Sequence, residues 1–231
     1  MTSQPPEQAS PKTSPLLDWN AVDTLLLDMD GTLLDLHYDN TVWNIMVPEA
    51  FAVHHNVTLE AAKTNLFGQM ARVRGQIEFY CFDYWSNYCD FDVTTVHHQA
   101  TDLIRFRPGA EEFLRFAKAA GKKLVIATNA HWNSIAVKND YTQLLDMVDA
   151  TISSHDFNAP KEHPDFWHKL VAEIGHTPER SAFLDDNEPV LDAAQAAGIG
   201  QLLCIETPDS QKPLRQGLRY SAFDHFSEIT P

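Results

Sequence analysis

The chain has 231 residues, 44% of them hydrophobic, enough to bury a full core in one large domain or in a core that carries an insert. Its formal net charge of −15 argues against nucleic acid or an anionic membrane as partner, since binding those depends on Lys and Arg neutralising phosphates. Cys81, Cys89 and Cys204 are odd in number and lack Cys-x-x-Cys spacing, which suggests neither a disulfide framework nor a zinc site, and with no apolar run of membrane-spanning length the expected place is the reducing cytoplasm.

Residues 1–15 are rich in Pro, Ser, Thr and Gln and too poor in apolar side chains to offset their ordering entropy, so a disordered tail is expected. Residues 19–29 read as a first strand, with Leu25, Leu26 and Leu27 as its buried centre. That strand stops at Asp28-Met29-Asp30-Gly31-Thr32, where Gly31 lets the backbone turn and Thr32 could cap the next segment.

Over residues 39–104 the pattern becomes helical and rich in aromatics, as an all-α insertion should look. Pro48 should break or kink the first helix, Thr58 should cap the second toward Ala61, and Gly75 should end it. A third helix is expected over residues 77–88 and a fourth over 94–103. The rest alternates: helices at 110–120, 134–145, 164–174 and 188–197, and strands at 123–128, 150–153, 181–184 and 201–205. This rhythm predicts an α/β fold, a doubly wound parallel sheet with helices on both faces. The expected division is a core over residues 16–38 and 105–231 with a helical cap over 39–104.

Ligands of such sheets sit beyond the carboxyl ends of the strands. The first strand ends at Asp28 and Asp30, the second at Thr128 and Asn129, the fourth at Asp185 and Asp186; Lys161 follows the third. Carboxylates held this close repel unless a proton or cation lies between them, and an all-oxygen set suits Mg²⁺ better than zinc or copper. Singly, each residue has a plainer reading: a solvated Asp-x-Asp turn, a Thr helix cap, a surface lysine. The order of the four elements reverses those odds.

In that order the residues resemble the haloacid dehalogenase superfamily, with a helical cap inserted after the first motif. Asp28 to Thr32 matches the first motif, Thr128 the second, Lys161 the third, and Leu184 to Gly198 the fourth. The third departs from the commoner Lys-Pro-Asp-Pro by carrying Glu162 and His163 before Pro164. The resemblance implies a phosphomonoester hydrolase in which Asp28 attacks phosphorus to form an aspartyl-phosphate and Asp30 is first general acid, then base. It also implies Mg²⁺ held by Asp28, the Asp30 backbone carbonyl and Asp186, with Asp185 binding it directly or through another ligand, and Thr128, Asn129 and Lys161 on the phosphoryl oxygens. A signalling receiver domain shares these residue types in a different order and has no helical insert.

The leaving group must be read by the cap. Residues 35–43 and 80–85 resemble the cap of bacterial nucleotidases acting on GMP and IMP, which implies a purine monophosphate substrate. Asp39, Trp43, Tyr80, Asp83 and Tyr84 are the candidates to meet it, by stacking or by accepting ring N–H bonds, although packing within the cap is the commoner fate of any one ring. The alternatives are a sugar-phosphate phosphatase or phosphomutase and, outside catalysis, a regulator that binds a phosphorylated metabolite. His54-His55 and His97-His98 are expected on the surface, Cys204 in the core, and His131 in a loop beside the site. Oligomeric state is not legible.

Overall fold

The computed structural model describes residues 15–231, so all of the expected tail except Pro15 lies outside the described residues. Six strands form one sheet: β1 (Thr24–Leu27), β2 (Lys123–Thr128), β3 (Ala150–Ser153), β4 (Ser181–Asp185), β5 (Gln201–Ile205) and β6 (Ala222–Phe223). Their order is β3-β2-β1-β4-β5-β6 and every pairing is parallel. Side chains alternate along each strand, so both faces need cover. Leu25, Leu27, Leu124, Ile126, Ala182 and Leu184 enter one core, while Leu26, Val125, Ala127 and Phe183 enter the other.

The first strand is shorter than expected. Asn20 donates its backbone N–H to Asp18 in a local turn, and the Trp19 indole leaves the sheet to pack on Phe113 and Phe116 and to donate to the Ile229 carbonyl at 2.7 Å. The short β6 is additional, because two residues without flanking alternation give no periodic signal.

A third core belongs to the helical insert, with Tyr38, Val42, Phe51, Leu66, Phe82, Trp85 and Val93 at its centre. The insert comprises α1 (His37–Thr41), α2 (Val47–His54), α3 (Leu59–Val73), α4 (Ile77–Tyr80), α5 (Phe82–Cys89) and α6 (Val93–His97). Pro48 does not break the first helical run; a π-helical turn, Val42–Met46, joins α1 to α2, and Pro48 sits in the first turn of α2, where its missing N–H is tolerated. Thr58 accepts from Ala61 N at 3.2 Å and caps α3 as expected. The expected third helix is two: Cys81 is extended (φ −89°, ψ 114°) and its sulfur accepts from Tyr84 N, opening α5 afresh. The fourth is α6 followed by a 3₁₀ segment, His98–Leu103, interrupted at Ala100. His97 is fully buried rather than on the surface, beneath the Tyr38 hydroxyl at 3.0 Å.

The chain leaves and re-enters the core through adjacent segments. Asp35 N donates to the Arg105 carbonyl (3.0 Å) and Arg107 N to that of Leu33 (2.9 Å), with Leu34 and Phe106 bridged between them. The remaining helices are α7 (Ala110–Ala119), α8 (Trp132–Thr142), α9 (Ser154–Phe157), α10 (Pro164–Ile174) and α11 (Glu188–Ala196). Among the described residues no helix is long and apolar enough to cross a membrane.

Candidate active site

The chain winds from β1 through β2 to β3 on one side, then returns to place β4 on the other, so the topological switch lies beside β1. Asp28 leaves the end of β1 and Asp185 ends β4, next to it in the sheet, with Asp28 N bonded to the Leu184 carbonyl at 2.9 Å. Gly31 makes the turn at φ +82° and approaches Asp186 so closely that a Cβ there would lie 2.9 Å from its carboxyl carbon. Only glycine fits both demands. Thr32 is buried but does not cap; its hydroxyl has no partner among the described residues, and the turn is closed by Gly31 N on the Leu34 carbonyl.

Lys161 draws the carboxylates together. Its ammonium is buried and donates to Asp28 Oδ1 at 2.5 Å and to Asp185 Oδ2 at 2.7 Å. Burial works against that charge, yet Asp185 and Asp28 outweigh it and hold the lysine protonated. Burial raises the Asp28 and Asp185 carboxyls despite Lys161, and raises Asp186 to about 7. Oxygens of Asp28, Asp185 and Asp186 lie within 4.8 Å of one another. This buried, charge-deficient oxygen set, with a glycine clearing space beside it, fits a hard divalent cation.

The second motif faces the first. Thr128 Oγ1 accepts from Ala130 N (3.0 Å), while Asn129 Oδ1 accepts from Lys161 N (2.9 Å). Glu162, the unusual residue of the third motif, accepts from Asn129 Nδ2 at 3.1 Å and from the Tyr80 hydroxyl at 2.7 Å. It thereby ties the insert to the loop that follows β2.

Between core and insert is a cavity of about 380 Å³. Asp28, Asp30, Thr128, Asn129, Lys161, Asp185 and Asp186 line its floor, and Asp39, Trp43, Phe79, Tyr80, Phe82 and Trp85 its roof. The structure therefore brings Asp39, Trp43 and Tyr80 to the site, but turns Asp83 and Tyr84 away. The break at Cys81 sets the rotation of α5, so Phe82 and Trp85 point inward; Asp83 faces His131 at 3.8 Å on the outer rim, and Tyr84 pairs with Gln69. Asp39 is also not a free acceptor, because Lys138 donates to it at 2.8 Å. On the rim, Cys81, His131 and His155 offer a separate, softer donor set within 4.8 Å of one another, and burial lowers the pKa of both imidazoles. Mg²⁺ would select the oxygen set.

Sequence reasoning missed Lys138 and Glu162. Lys138 gave no motif signal; Glu162 was visible as a departure from the expected motif, but nothing in the sequence placed it beside Tyr80.

The comparisons agree with this geometry. The profile of the haloacid dehalogenase-like hydrolases matches residues 22–198. The GMP/IMP nucleotidase YrfG of Escherichia coli (strain K12) is 37% identical over 213 residues, covering 92% of this chain and 96% of that protein, and the Shigella flexneri protein of the same name matches equally. A HAD phosphatase from Thermococcus onnurineus shares the fold, with TM-score 0.74 and 18% identity, covering 90% of this chain and 96% of the other. This chain belongs to the haloacid dehalogenase-like hydrolases and is a phosphohydrolase of that family.

Proposed function

We propose that the protein is a Mg²⁺-dependent 5′-nucleotidase that hydrolyses purine monophosphates, GMP and IMP foremost, through an aspartyl-phosphate on Asp28. The observation that carries this reading is the two-sided cavity, with carboxylates, Thr128, Asn129 and Lys161 on its floor and aromatic rings in its roof. The 37% identity to a GMP/IMP nucleotidase over nearly the whole chain supports the same substrate class.

Asp28 attacks phosphorus while the ester P–O bond breaks, dividing one difficult hydrolysis into two displacements. Asp30 gives its carboxyl proton to the departing 5′-oxygen, so the nucleoside leaves as an alcohol. It then takes a proton from water as that oxygen attacks the phospho-aspartate, which releases inorganic phosphate and restores Asp28. Lys161 and Asn129 receive the phosphoryl oxygens, with Thr128 beside them, and the fixed Lys161 ammonium meets the charge that develops there. Asp28, the Asp30 backbone carbonyl, Asp185 and Asp186 would hold Mg²⁺, which supplies further charge neutralisation at the phosphoryl group. Trp43, Phe79 and Phe82 offer stacking faces for a base.

Phosphate release from GMP, IMP, AMP, UMP and hexose phosphates, each with Mg²⁺, tests the substrate. GMP and IMP should give the highest kcat/KM, and faster turnover of the hexose phosphates would defeat the proposal in favour of a sugar phosphatase. In the same assay Asp28→Asn should lose turnover by at least about 10³-fold while remaining folded.

A further inference from the structure

One fully buried cation in the site belongs to none of the phosphohydrolase motifs. Lys138 projects from the middle of α8, is 1% exposed, and lies 5.3 Å from the centre of the Tyr38 ring. Its ammonium sits 2.7 Å from Asp30 Oδ1 and 2.8 Å from Asp39 Oδ1. A buried ammonium is tolerated only when paired, and this one is paired twice, to carboxylates of different parentage. Asp30 follows β1 in the core, whereas Asp39 rides on α1, whose neighbour Tyr38 is packed in the core of the insert.

Both contacts are ion pairs at hydrogen-bonding distance, so the one ammonium bridges the two carboxylates. It holds the Asp30 carboxyl in place, and Asp39 fixes where that charge sits. Lys161 has the matching arrangement on the other side, between Asp28 and Asp185, although both of its partners are core residues. Lys138 alone spans core and insert in this way among the two site lysines.

We propose that Lys138 is a positioning residue for Asp30, and that Asp39 makes its hold conditional on the insert being seated over the core. The inference rests on the reading of Asp30 as the group that protonates the leaving oxygen. Misplacing Asp30 should then slow the first displacement in proportion to how much the leaving group needs a proton; the attack of water is common to all substrates, and kcat/KM, which reports the steps up to departure of the leaving group, excludes it.

The test compares GMP, or ribose 5-phosphate if GMP is not turned over, with p-nitrophenyl phosphate, whose phenolate departs without protonation. Lys138→Met should lower kcat/KM for the alkyl ester by about 100-fold, the scale of a displaced general acid, and that for the aryl ester by less than about 5-fold. Asp39→Asn, which keeps an acceptor but removes the charge, should show the same selectivity at about 10-fold. Added methylammonium should restore part of the alkyl-ester kcat/KM to Lys138→Ala. Equal losses of kcat/KM on both esters would overturn the proposal, since a merely structural lysine would not distinguish leaving groups. Asp30→Asn separates the two levels of argument: if it is leaving-group selective and Lys138→Met is not, the positioning role alone fails. If Asp30→Asn is not selective, the acid assignment fails and takes the positioning role with it. Should Lys138→Met not fold, Asp39→Asn and the amine rescue decide.

Discussion

Gly31 carries two constraints that no other residue type meets at once, a left-handed backbone and clearance for the Asp186 carboxylate. Gly31→Ala should cost about 1–2 kcal/mol of stability from the backbone alone. It should also raise the Mg²⁺ concentration for half-maximal activity by at least about 10-fold, as the added methyl displaces Asp186; urea unfolding and a Mg²⁺ titration of phosphate release check the two effects separately. The acids were legible because they end predicted strands, and strand ends are where such sheets place ligands. Lys138 was not legible. It lies 99 residues from Asp39 on a helix that also carries the exposed Asn133 and Asp140, and a helical lysine is read as surface unless its carboxylate partners are seen to converge on it. Asp83 and Tyr84 lie off the cavity for a related reason: periodicity counts residues along an unbroken helix, and one extended residue at Cys81 resets the phase.

At the scale of elements, β2, β3 and β5 and the helix α10 were readable to the residue, because apolar runs are bounded there by Gly, Pro or polar turns. Helix ends in the insert were harder, since its rings pack inward from several helices and the aromatic pattern has no single face. His97 shows how that packing acts. It closes α6 beneath Tyr38, Trp43 and Phe82, where burial lowers its pKa from 6.5 to about 3. Its folded pKa lies below its unfolded one, so its neutral form contributes stability that is fully present above pH 6.5 and is lost as pH falls toward 3. Between pH 6 and 4 the wild type should therefore lose up to about 1.4 kcal/mol per pH unit through this group. His97→Gln, less stable at neutral pH, should show a correspondingly shallower acid limb in urea unfolding followed across that range.

For the whole molecule, the parallel sheet and the helical insert followed from the alternation of elements, while the strand order and the contact surface between insert and core did not. That surface is made by side chains distant in sequence, such as Tyr80 with Glu162 and Lys138 with Asp39. The site it encloses is short of positive charge. Asp186, with a folded pKa raised by burial to about 7 from 3.8, contributes stability that is complete below pH 3.8 and is lost as pH rises through 7. A cation that binds the ionised set replaces the lost protons. The rise in melting temperature on adding excess Mg²⁺ to chelator-treated protein should accordingly be larger at pH 8 than at pH 5, and an equal rise at both would count against the assigned cation site.

The pairing of Leu34 with Phe106 makes the helical insert a closed excursion from the core, entered and left at one point. A chain rejoined across that point would keep every strand neighbour of the sheet, because no strand register passes through the excursion. Another insert can therefore replace this one without displacing Asp28, Lys161 or Asp185, provided that it returns a carboxylate to Lys138 where Asp39 now stands.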